Sequence, residues 1–162
     1  MTSLRLNVLE LGLACCALEY HAAAVSENLQ QQWQALVSDA GDAGDAGDTG
    51  DTGDTGEQAG AWDVLVLAGT MTHALVPTIV SAYESLGQRR AVVSFGACSI
   101  SGGPYWDSYS VASVPPVPVD VSIPGCPPTP AALLRGLRDL QQTLALRACR
   151  AAAPDSVAGH HA

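Results

Sequence analysis

Four apolar runs mark this chain, each closed by a turn: Leu4–Leu11 (LRLNVLEL), Asp63–Ala68 (DVLVLA), Ala91–Phe95 (AVVSF) and Val119–Ile123 (VDVSI). Their length and content of Val, Leu and Ile suit strands buried on both faces, as in a parallel sheet. Between them the apolar positions recur at helical spacing. Ala14 to about Val37 reads as a helix rich in Ala, Leu, Glu and Gln, and Pro77 to Leu86 as a second one stopped by Gly87. Thr129 is placed to cap a final helix with Pro130 at its first position. Leu133, Leu134, Leu137, Leu140 and Leu144 form a stripe on that helix, which core packing against the sheet explains. Strands alternating with helices predict an α/β domain with a parallel four-stranded sheet flanked by helices.

One segment breaks the pattern. Gly41 to Gly56 reads GDAGDAGDTGDTGDTG, with Gly at every third position. It has no proline and is too short for a collagen helix. Its Asp spacing fits neither an EF-hand loop nor a calcium-binding β-roll. Glycine and repelling carboxylates predict a flexible loop over residues 39–60. Seven of the sixteen acidic residues lie between Asp39 and Glu57, so the net charge of −9 belongs mostly to this loop. The seven basic residues are all Arg and make no stripe, which argues against nucleic-acid binding. No stretch approaches the ~20 apolar residues of a membrane span, and the opening MTSLRLNVLE has no signal-peptide pattern. At 162 residues, one domain over 1–150 with a flexible tail over 151–162 is expected.

The chemistry lies in the cysteines. Cys15, Cys16, Cys98 and Cys126 each follow an apolar run in a glycine- or proline-rich turn. If those runs are parallel strands, all four thiols emerge at the carboxyl edge of the sheet, where open α/β sheets place their ligands. Four soft thiolates at one point imply a metal or an iron–sulfur cluster. Cys-x-x-Cys knuckles of a structural zinc site are missing, and a reducing compartment disfavours disulfides. Buried cysteines are often simple core residues, and Cys149, in a helical segment without a turn, fits that reading. The loop Gly96 to Ser110 (GACSISGGPYWDSYS) is long, and its glycines allow backbone amides close to a ligand. Tyr105, Trp106 and Tyr109 supply an aromatic patch that either shields the site or meets another protein. Asp107 and His73 are the nearest candidates for a general acid or base, and surface or hydrogen-bonding roles explain both. Gly69-Thr70-Met71-Thr72 could instead cradle a phosphate, as in a flavin-binding module.

LGLACCALE, DVLVLAGTMTHALVP, VVSFGACSISGGPYWDSYSV and VPVDVSIPGCPPTPAALLRGL, in that order, resemble the B subunit of NADH-quinone oxidoreductase (respiratory complex I). Small subunits of [NiFe] hydrogenases share the later cysteines but open with Cys-x-x-Cys, so Cys15-Cys16 favours the complex I side. The resemblance implies a flavodoxin-like domain holding one [4Fe–4S] cluster on Cys15, Cys16, Cys98 and Cys126, which passes electrons to quinone. It implies an oxidoreductase subunit, inactive alone, within an assembly that can also translocate protons. The expected partners are a hydrogenase-large-like subunit, a ferredoxin-like iron–sulfur subunit and membrane-arm subunits, with quinone at the interface. The expected location is the cytoplasmic side of the cell membrane, peripheral through those partners. A small subunit of a membrane-bound hydrogenase or formate hydrogenlyase-type complex is the alternative. The Gly-Asp repeat departs from the family, replacing a compact segment with Arg and aromatic residues.

Overall fold

A computed structural model of the chain describes residues 3–11, 15–45 and 61–152, apart from the side chains of 38–45 and 151–152. Its centre is a parallel sheet of β1 (Leu4–Leu11), β2 (Val37–Asp45), β3 (Trp62–Gly69), β4 (Arg90–Phe95) and β5 (Val121–Ile123), in the order β2-β1-β3-β4-β5. That is the order of flavodoxin-like folds. The four predicted strands are all present. Alternate residues of β1 and β3 serve two cores: Leu4, Leu6, Val8, Val64, Val66 and Ala68 lie in one, and Leu9, Leu11, Leu65 and Leu67 in the other. A sheet buried on both faces needs apolar residues at odd and even positions, hence the continuous runs.

Two cores require two helical layers. On one face lie α1 (Cys15–Val25), α2 (Glu27–Leu36) and α5 (Pro130–Ala152), which contribute Tyr20, Trp33, Leu36 and the whole leucine stripe from Leu133 to Leu144. On the other lies α3 (Val76–Ser85), which contributes Ile79. Gly136 lets α5 sit close to β5, since a Cβ there would fall 2.4 Å from Ile123 Cδ1. Asp120 ties the thin edge strand to its surroundings: Val92 N–H donates to its Oδ2 (2.8 Å) and Arg147 of α5 to its Oδ1 (2.6 Å).

Two expectations need correction. The predicted helix Ala14–Val37 is two helices, broken at Ser26, whose backbone is extended (φ −69°, ψ 118°). The break lets Trp33 fold back edge-on against Tyr20, with ring centroids 5.5 Å apart. Second, a fifth strand, β2, follows directly and runs into the Gly-Asp repeat as far as Asp45. An edge strand is held by main-chain pairing, here to β1 from Leu4↔Val37 to Glu10↔Asp45, and that pairing does not require apolar side chains. The expected loop is therefore a strand over 39–45. Its remainder, 46–60, and the expected tail beyond Ala152 lie outside the described residues.

Candidate functional site

The cysteine-bearing segments sit at the carboxyl ends of β1, β4 and β5. Cys15 and Cys16 open α1 rather than lying in a turn. Cys98 is in a single-turn helix, α4 (Ala97–Ser101), which follows β4 through Gly96. Cys126 follows β5 in the turn Pro124–Gly125, and its peptide bond to Pro127 is cis. Cys16 and Cys98 are buried, whereas Cys15 and Cys126 are exposed.

Backbone contacts draw these segments together. Gly96 N–H donates to Ile123 O (2.9 Å), and Ala97 N–H to Gly125 O (2.8 Å). The neighbours of Cys98 and Cys126 are thereby bonded to each other. Gly96 has φ +99°, and a Cβ on it would lie 2.4 Å from Cys16 Sγ and 3.6 Å from Pro128 Cδ. Only glycine satisfies both the backbone and the space there. Gly103 plays the same part for Cys98, since a Cβ on it would stand 3.0 Å from both Sγ and N of that residue. Two buried hydroxyls brace the Cys98 turn. Ser94 Oγ lies 2.7 Å from Ser99 O and 3.0 Å from Ser99 Oγ, and Ser99 Oγ lies 3.1 Å from Gly96 O.

Electrostatics reports the same convergence. The Cys16 thiol is pushed up to about 12, first by burial, then by the charge of Cys15 and a hydrogen bond with it, then by Cys98 and Cys126. All three other thiols predicted for the site act on Cys16, whereas Cys149, expected as a core residue, is instead exposed on α5. Among the described residues, no group of three or more His, Cys, Asp or Glu side chains could hold a metal ion. A single ion such as zinc needs every sulfur about 2.3 Å from one centre, whereas a [4Fe–4S] cluster spreads its four thiolates over a wider frame. The charged groups that act on Cys16 are all thiols, and an all-sulfur donor set fits the chemistry of a cluster.

The acid–base and aromatic candidates fall outside this centre. His73 and Asp107 are exposed. Tyr105, Trp106 and Tyr109 are 45%, 68% and 97% exposed, so they do not cover the cysteines within this chain. In the Gly69–Thr72 turn, backbone bonding extends to the neighbouring loop: His73 N–H donates to Ser110 O and Ala112 N–H to Met71 O, both at 2.9 Å. The roles of Ser94, Ser99 and Asp120 are not evident in the sequence, although the Pro-Val-Asp-Val pattern contains the last.

The family described as NADH ubiquinone oxidoreductase, 20 Kd subunit, matches residues 12–140. A B subunit of the NADH-quinone oxidoreductase of Streptomyces griseus is 39% identical over 140 residues, covering 85% of this chain and 52% of that relative. A B subunit of the same enzyme from Salinispora tropica is also 39% identical, covering 85% of this chain and 65% of its own length. The B subunit from Carboxydothermus hydrogenoformans is 35% identical, with 84% and 73% covered. The chain thus spans about half to two thirds of the first two relatives. Among solved structures, a chain of the membrane-bound sulfane sulfur reductase, an archaeal respiratory membrane complex, shares the fold. Its TM-score is 0.61 at 22% identity, over 86% of this chain and 70% of that one. The family match contains all four converging cysteines and stops short of Cys149, and by it this chain belongs to the family of 20-kDa subunits of NADH–ubiquinone oxidoreductase.

Proposed function

We propose that this chain is the electron-transfer subunit of a complex I-like NADH:quinone oxidoreductase, with Cys15, Cys16, Cys98 and Cys126 holding one [4Fe–4S] cluster. The observation that carries this reading is the joining of the cysteine segments at one sheet edge: Gly96, beside Cys16 Sγ, leads into the Cys98 turn, and Ala97 N–H bonds Gly125 O next to Cys126 (2.8 Å). When bound, such a cluster takes up and releases one electron at a time. The chain's own residues supply its setting. Cys16 and Cys98 anchor it to the protein interior, while Cys15 and Cys126 lie at the surface where a redox partner can approach. Gly96 and Gly103 keep side chains out of the space beside the sulfurs. The exposed Tyr105, Trp106 and Tyr109 form the face for a hydrogenase-large-like partner, with quinone reduced in the gap between them. A ferredoxin-like subunit would deliver the electrons. Relay needs no general acid or base on this chain.

Attachment to a membrane on the cytoplasmic side would come through those partners; among the described residues no helix is long and apolar enough to cross a membrane. The hydrogenase-type reading is less favoured, since the matched relatives are NADH-quinone oxidoreductase subunits. The test is anaerobic purification followed by iron and sulfide analysis and electron paramagnetic resonance. Replacing Cys15, Cys16, Cys98 or Cys126 by Ala should each abolish the cluster signal, whereas Cys149→Ala should keep it. A full signal in any of the first four variants refutes that ligand.

A further inference from the structure

Thr70 stands one residue beyond β3, the strand between β1 and β4. The segments that follow those neighbours carry Cys15 and Cys16 on one side and Cys98 on the other. α1 and α4 both pack against β3. Thr70 is 5% exposed, and its Oγ1 is buried without a hydrogen-bond partner among the described residues. A hydroxyl taken out of water and left unpaired is costly, and native proteins rarely tolerate one without a reason.

Both faces of β3 are buried. Val64, Val66 and Ala68 face the core that contains Cys16, while Leu65, Leu67 and Met71 face the other. Beyond the strand Gly69 turns the chain (φ 124°), and Thr70 follows it at the carboxyl end of β3, flanked by the segments that lead from β1 to Cys15 and Cys16 and from β4 to Cys98. The turn is held in place by Ala112 N–H donating to Met71 O (2.9 Å) and by the bridge between Thr72 and Val111. The hydroxyl is thus fixed at the sheet edge where the cysteines gather.

We propose that the Thr70 hydroxyl donates a hydrogen bond to the cluster or to one of its cysteine sulfurs, an inference that rests on the cluster reading above. Such a donor favours the reduced, more negative state and raises the reduction potential. It also explains the unpaired oxygen: its acceptor belongs to the loaded protein.

The test uses the full chain, loaded anaerobically with ferrous iron and sulfide, as wild type, Thr70→Val and Thr70→Ser. Iron and sulfide content, an electron paramagnetic resonance redox titration and denaturant unfolding of the metal-free chain are measured on each. In the metal-free chain, Thr70→Val should be at least as stable as wild type, because it removes an unpaired buried hydroxyl. Loaded, it should disfavour the reduced state about tenfold, a fall of ~59 mV for one electron, while Thr70→Ser keeps the wild-type potential. An unchanged midpoint in fully loaded Thr70→Val overturns the proposal, and so does marked destabilisation of its metal-free form, which would reveal a structural partner. If Thr70→Val folds but does not load, Thr70→Ala is titrated under the same two criteria. A wild-type chain that takes up no iron refutes the cluster reading itself, a failure distinct from those of Thr70.

Discussion

Gly96 is the residue on which the cysteines close. Its Cα faces Cys16 Sγ, its peptide leads into the Cys98 helix, and its neighbour Ala97 binds Gly125 beside Cys126. Gly96→Ala would force a Cβ to within 2.4 Å of that sulfur at a φ of +99°. We expect it to cost the metal-free chain about 1–3 kcal/mol, as overpacking does, and to remove most of the iron found in the wild type by sulfide and iron analysis. Cys16 also sets a pH limit. Its thiol rises from 9.0 to about 12 on folding, chiefly through burial and then through the other three thiols. The unfolded chain therefore loses this proton first. Stability is unaffected below about pH 9 and falls as pH climbs from there towards 12. Denaturant midpoints of the metal-free chain should decline over that window, and the decline should shrink in Cys16→Ala. The cysteines are readable because thiols just beyond three of the four predicted strands are unusual. Ser94, Ser99 and Asp120 are not, because their importance lies in which backbone atoms they reach, a matter of tertiary geometry.

At the scale of elements, β1, β3, β4 and α5 declare themselves, since burial on two faces demands apolar runs and burial on one demands a stripe. β2 carries neither mark. Glycine and aspartate are poor strand formers, yet the main chain of β1 offers them a template. Composition therefore pointed to a loop where pairing makes a strand. Ser26 is a similar case, where docking of Trp33 against Tyr20 decides the break between α1 and α2. The contact of α5 with β5 offers a test of packing against propensity. Gly136→Ala gains about 1 kcal/mol of helix propensity but drives a Cβ into Ile123 at about 1–3 kcal/mol, so it should destabilise. In an Ile123→Ala background the obstacle is gone, and the same change should stabilise. Paired denaturation curves read the reversal.

For the molecule as a whole, the sheet is a mounting with its chemistry at one edge and an uncovered aromatic face nearby. The family blocks make the fold class legible in the sequence and single out the four cysteines. The loaded chain alone, given an artificial electron donor, should show no saturable quinone reduction, and turnover should appear on adding the large subunit. Trp106→Ala should weaken that association by about 2 kcal/mol or more, as loss of an aromatic anchor does, measured by titrating one subunit against the other.

The division of the four proposed ligands into two buried and two exposed cysteines has a bearing on durability. A cluster gripped from below and open above would meet dissolved oxygen on the side of Cys15 and Cys126, where thiolates are accessible to oxidation. Iron would be shed from that rim first, while Cys16 and Cys98 kept their hold. A subunit seated over the rim would close the route. The rate at which the colour of the protein bleaches in air then becomes a clock for assembly, fast for the lone chain and slow for the chain in its complex.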